Sequence, residues 1–115
     1  MFNQIEVYEV RADHKEEFEA IMKDEAVFYN AQNGVITIKV IKNNYYLEEI
    51  SSENPEGIPK RADEVTDNVT YIVYCTYENE ATFTNVYKTI RDKYFKKISK
   101  LIIGEPKVML GGNVV

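Results

Sequence analysis

The chain has 115 residues, 44% of them hydrophobic and 29% charged, which is the composition of a globular protein and excludes a disordered one. That length suits one domain over residues 1–115, and no apolar run approaches the roughly 20 residues that a membrane helix needs. The formal net charge of −5 disfavours nucleic acid as a partner.

The elements follow in chain order from the periodicity of apolar residues. Ile5 to Val10 alternates as a strand does, with Ile5 and Val7 against Glu6 and Tyr8. "ADHKEEFEAIMKDEAVFYN" changes to helical spacing, with Phe18, Ile21, Met22, Glu25 and Tyr29 on one face. Asp13 and Glu16 form a capping-box-like start, and Asn33-Gly34 supplies the stop. "VITIKVI" (Val35 to Ile41) is a β-branched second strand, and "YYLEEI" continues as extended chain. Ser51 to Asp67, polar with two prolines and a glycine, reads as a long loop that could gate a site. "YIVYCTY" is a third strand with no wet face. A second amphipathic helix follows, carrying Phe83, Val86, Tyr87, Ile90, Tyr94, Ile98 and Leu101, with Asn79 as N-cap and Gly104 and Pro106 after its end. Its basic stretch "RDKYFKKISK" suits a solvated, dipole-favoured C-terminal half. "KVMLGGNVV" closes the chain as the last strand.

The order βαββαβ predicts an α+β, ferredoxin-like fold: a four-stranded antiparallel sheet with two helices on one face. Ile5, Val7, Ile36, Ile38, Val40, Val108 and Leu110 are expected under the helices, with Val73 and Cys75. The second face then receives Gln4, Glu6, Tyr8, Thr37, Lys39, Ile72, Tyr74, Thr76 and Met109. In the third strand the reverse assignment stays open, because a one-residue slip exchanges the faces. The bare face spans roughly 350 Å² of sheet, close to the largest apolar patch a monomer carries. Its mix of rings, carboxylate and amine suits a cavity between two sheets, the second supplied by another copy of the chain in a homodimer. A dimer interface without a ligand is the alternative.

Four segments resemble the dimeric α+β barrel superfamily, and most of all its antibiotic biosynthesis monooxygenase branch. "HKEEFEAIMK" is similar to the family's first-helix start, and "NGVITIKVIKN" to its glycine and second strand. "YIVYCTYENEATFTNVY" resembles the third strand, acidic turn and helix, and "IIGEPKVMLGGNVV" the closing Gly-x-Pro and final strand. The resemblance implies a homodimeric barrel. It also implies a choice among cofactor-independent oxygenases of polycyclic aromatic substrates, haem-degrading enzymes, and proteins without an assigned activity. Haem degradation is disfavoured. That branch uses an Asn on the first strand and a Trp and a His on the second helix, where this chain has Val7 or Tyr8, Val86 and Lys96, and it has no Trp at all.

The oxygenase branch implies no cofactor, since the substrate itself supplies electrons to oxygen and the protein has only to bind, deprotonate and position it. Glu6 is the candidate catalytic base, its pKa raised by a partly apolar face. Tyr8 and Tyr74 could stack on a planar ligand, Lys39 could stabilise a developing oxyanion, and Thr76 and Met109 complete the candidate lining. A Glu6–Lys39 cross-strand pair is the plainer alternative. Metal sites of the His/Cys type are excluded by count, since His14 and Cys75 stand alone. His14 reads as an exposed first-turn residue and Cys75 as a small buried apolar one. The absence of a signal peptide and of a disulfide points to the cytoplasm. The function expected is therefore a monooxygenase-like protein binding a small planar aromatic molecule; a non-catalytic binding or structural homodimer is the alternative.

Overall fold

A computed structural model of the chain describes residues 1–47, 57, 59–61 and 68–115. Its elements are β1 (Phe2–Arg11), a 3-10 turn (Ala12–His14), α1 (Lys15–Asn30), β2 (Val35–Lys42), β3 (Tyr45–Leu47), β4 (Pro59–Arg61), β5 (Asn68–Tyr77), α2 (Glu80–Ile98) and β6 (Lys107–Gly112). The main sheet has four strands in the order β2-β5-β1-β6, with every neighbouring pair antiparallel. Both helices cover one of its faces. This is the ferredoxin-like βαββαβ arrangement that the alternation of periods predicts.

β3 and β4 pair as a separate ribbon, Tyr45 opposite Arg61 and Leu47 opposite Pro59. The long loop expected over Ser51 to Asp67 therefore contains a strand where it is described, at Pro59–Arg61. Of its other residues only Gly57, at φ +58°, is described, and the end of "YYLEEI" also falls outside the described residues. Among the described residues no helix is long and apolar enough to cross a membrane.

The helices form where the apolar spacing places them. Phe18, Met22, Glu25 and Tyr29 are the buried positions of α1, and Val86, Ile90, Tyr94 and Ile98 those of α2. Asn79 caps α2 as expected, its side chain accepting from the Thr82 backbone N–H at 2.9 Å. Asp13 does not cap α1. The chain enters that helix through the 3-10 turn, and neither turn nor helix has a side-chain cap bond. Gly34, at φ +86°, turns the chain from α1 into β2 and accepts a bond from the Glu78 N–H at 2.8 Å. A Cβ there would sit 2.7 Å from Thr82, so both backbone angle and space require glycine.

The register overturns one expected face. Glu6 lies opposite Val73 and Gln4 opposite Cys75, and opposed residues of an antiparallel pair share a face. Val73 and Cys75 are buried under the helices, so Gln4, Glu6, Tyr8 and Val10 are buried there too. Ile5 and Val7 point to the open face instead. On β2 a bulge between Val35 and Thr37 breaks the alternation, leaving Ile36 exposed while Val35, Ile38 and Val40 pack on the core.

The open face is consequently more apolar than its expected composition. Lys39, Tyr74, Ile5 and Met109 align across the sheet in one row, and Ile41, Ile72, Val7 and Lys107 in the next. Met109 is 67% exposed and Ile41 50%. Asn3 provides the polar end of this face, accepting from the Tyr74 hydroxyl at 3.1 Å and donating to Asn113 at 2.6 Å.

Candidate functional site

Beneath the helices the core is built as much from tyrosine as from aliphatic side chains. Tyr8, Tyr29, Tyr71, Tyr77 and Tyr94 are all buried. Their rings supply contact area, and four of their hydroxyls are anchored on partners. Tyr71 donates to Glu19 at 2.5 Å and Tyr94 to Asp24 at 2.7 Å, both toward α1. Tyr77 donates to Gln4 Oε1 at 2.5 Å. Gln4 Nε2 in turn donates to Glu6 Oε1 at 2.5 Å, and the Tyr8 hydroxyl donates to Glu6 Oε2 at 2.7 Å. The two-residue period of β1 sets Gln4, Glu6 and Tyr8 in a line on one face. That line explains how polar groups survive under helices: each finds a hydrogen-bond partner there.

The line borders a cavity of about 220 Å³ between sheet and helices. Glu6, Tyr8 and Val108 form its floor, Glu25 enters from α1, and Tyr87, Ile90, Arg91 and Tyr94 come from α2. Glu105 and Pro106 border it on the approach to β6. Arg91 lies over the Phe95 ring, 4.8 Å from its centroid.

The two buried carboxylates of this cavity are held differently. Burial raises the pKa of Glu6, while the Tyr8 hydroxyl, the Arg91 charge and the Gln4 amide pull it back down; the net direction is up. Burial and the neighbouring Glu6 charge push Glu25 to about 8, and nothing opposes them. Its Oε2 is buried without a hydrogen-bond partner. The Tyr8 phenol is raised by burial and then by Glu6. Tyr29 perturbs Tyr77 and Cys75 beside it, yet its hydroxyl reaches no partner at hydrogen-bond distance. Cys75 is buried as expected, and burial raises its thiol to about 12.

The expected site residues divide between the two faces of the sheet. Glu6 and Tyr8 stand in the cavity. Lys39, Tyr74, Thr76 and Met109 stand on the open face, so the six do not line one space. A Glu6–Lys39 pair does not form, because β5 separates their strands and they face opposite sides. His14 is half-buried rather than exposed, with its Nδ1 buried and unpartnered. Among the described residues no three His, Cys, Asp or Glu side chains gather as a metal site.

Glu25, Tyr87 and Arg91 were absent from the sequence-based site. The sign of Glu25 was a carboxylate inside the buried stripe of an amphipathic helix, where a polar residue is the informative exception. Arg91 is indistinguishable in sequence from the solvated basic residues around it.

No family model matches this chain, and no curated protein matches it. Solved structures do, over most or all of their length. An antibiotic biosynthesis monooxygenase superimposes with a TM-score of 0.70 over 100% of both chains at 9% identity. SnoaB, a cofactor-independent oxygenase from Streptomyces nogalater solved as a point mutant, gives 0.65 over 99% of this chain and 93% of its own, at 11% identity. A protein of unknown function from Nitrosomonas europaea gives 0.67 over 99% and 89%, at 9% identity. The chain therefore shares the ferredoxin-like fold of these solved structures, an antibiotic biosynthesis monooxygenase among them, as its sequence segments imply. Identities this low carry the fold and leave the chemistry to the site.

Proposed function

We propose that the cavity under the helices binds a small planar aromatic molecule and that the protein acts on it as a cofactor-independent monooxygenase. One observation carries this reading: a buried carboxylate, Glu6, is held by two hydrogen bonds in the floor of a cavity walled by Tyr8, Tyr87 and Tyr94. Aromatic walls with a few fixed polar groups suit a planar ligand. The likeness of fold to SnoaB, described as a cofactor-independent oxygenase, supports the reaction class.

The chemistry asks little of the protein. A ring CH₂ acidified by a neighbouring carbonyl gives a proton to Glu6. The carbanion passes its electrons to O₂, and the resulting hydroperoxide loses water to leave a second carbonyl. CH₂ and O₂ become C=O and H₂O, so no other reductant is consumed. Glu6 suits the first step because burial strengthens it as a base while Tyr8 and Gln4 hold it in place. Arg91 at the cavity offers a positive charge to the developing enolate. The test is oxygen uptake with anthrones and polycyclic phenols, without added flavin or metal. Turnover that falls at least a hundredfold in Glu6→Gln supports the reading; unchanged turnover in that variant removes Glu6 as the base.

The open face supports a homodimer. Its rows of Ile5, Val7, Ile72, Tyr74 and Met109 are too apolar to face water, and a second copy offers a matching sheet. In this assembly Lys39, Tyr74, Thr76 and Met109 act in the interface or in whatever space the paired sheets enclose.

A further inference from the structure

Proton abstraction by Glu6 leaves the second buried carboxylate of the cavity without a task, and a task for it rests on that cavity being the ligand site. Glu25 is 3% exposed, borders the cavity, and has a buried Oε2 that no described group satisfies. A buried polar atom left alone is costly and signals a missing partner. We infer that Glu25 presents a carboxylic acid O–H to a carbonyl oxygen of the bound molecule, so that the cavity selects neutral planar ketones and quinones.

The surroundings of Glu25 settle which carboxyl keeps its proton. From β1 it faces Glu6 and Tyr8, and from β5 it acts on Cys75. From α2 come Tyr87, Tyr94 and Arg91, from the approach to β6 comes Glu105, and on its own helix it acts on Tyr29. Two buried carboxyls beside one cavity cannot both ionise cheaply. Tyr8, Gln4 and Arg91 all stabilise the charge on Glu6, and nothing does so for Glu25. Environments that push two acids apart in this way assign them opposite roles, Glu6 as acceptor and Glu25 as donor.

The ligand class follows from the charges. Arg91 is the single cation bordering the cavity among the described residues, against Glu6 and Glu105. A carboxylated ligand would add a further negative charge beside Glu6. A ketone or quinone oxygen only accepts hydrogen bonds, and the protonated acid is the donor it needs. The same carbonyl acidifies the neighbouring CH₂ that Glu6 would deprotonate.

Three bicyclic probes of similar size test this: chromone, naphthalene and 1-naphthoate, their binding measured by calorimetry near pH 6.5 and near pH 9.5. Chromone is expected to bind on the order of tenfold tighter than naphthalene or 1-naphthoate at the lower pH, the effect of one buried hydrogen bond. It should lose that advantage at the higher pH, where Glu25 ionises, while naphthalene binding stays level. Glu25→Gln keeps an N–H donor, so chromone should bind at both pH values without the step. Glu25→Leu should bind chromone no better than naphthalene. Equal binding of chromone and naphthalene, or chromone binding level with pH in the unmodified protein, overturns this inference and leaves the cavity as a ligand site. No binding of either neutral probe overturns both. The measurements on the unmodified protein decide the matter even if the Leu variant does not fold.

Discussion

Glu6 on β1 and Glu25 on α1 border one cavity, each 3% exposed, and only Glu6 is supplied with hydrogen-bond donors. The pair makes stability depend on pH in a defined direction. Glu25 has a folded pKa of about 8 against an ordinary value of 4.5, so the folded chain binds its proton more tightly than the unfolded one. Stability is then greatest below the ordinary value and falls as pH rises toward 8, by up to about 1.4 kcal/mol per unit. Urea unfolding at pH 5, 6.5 and 8 should show this fall. Glu25→Gln should flatten most of it, with the raised Glu6 supplying a smaller slope of the same sign.

Gln4 depends on Tyr77 for its carbonyl oxygen and on Glu6 for its amide. Tyr77→Phe keeps the ring and its edge contact with Phe83 but leaves Gln4 Oε1 buried without a donor. The expected cost is about 1–3 kcal/mol in denaturant unfolding. The double variant Tyr77→Phe with Gln4→Leu should recover part of it, since the orphaned group is then gone.

Gly34→Ala meets two obstacles at once, the positive φ and Thr82 at 2.7 Å. Thr82→Ala eases the steric one, leaving only the Thr82 Cβ position at 3.2 Å, and keeps the backbone one. The single variant should lose more than about 1 kcal/mol, and the pair should recover only a fraction of that.

The open face predicts its own test. Ile72 and Ile5 sit side by side in neighbouring rows at its centre. Ile72→Lys should turn a dimer into a monomer in size-exclusion chromatography with light scattering, while circular dichroism stays unchanged. A monomer in the unmodified protein at micromolar concentration would contradict the proposed assembly.

Much of the architecture is legible in the sequence because periods of two and 3.6 alternate cleanly along it. Phe18, Met22, Tyr29, Val86, Ile90 and Tyr94 all occupy the buried stripes that spacing assigns them. The faces of β1 are not legible that way. Alternation separates Ile5 and Val7 from Glu6 and Tyr8 but does not say which set goes inside, and hydrophobicity points to the wrong one. Glu6 and Gln4 are inside because Tyr8 and Tyr77 satisfy them, a fact of three-dimensional pairing. Ile36 is exposed because of a bulge that β-branched spacing does not reveal. The candidate site was half legible for the same reason: Glu6 and Tyr8 came from strand position, whereas Glu25 and Arg91 reach the cavity from two helices that only the fold brings together.

The proposed ligand site lies under the helices and not on the open face. A backbone amide NMR titration with naphthalene and chromone tests it directly. The largest shifts are expected at Glu6, Tyr8, Glu25, Tyr87 and Arg91, with Lys39, Tyr74 and Met109 unmoved. Shifts concentrated at Lys39, Tyr74 and Met109, with Glu6 and Glu25 silent, would contradict it.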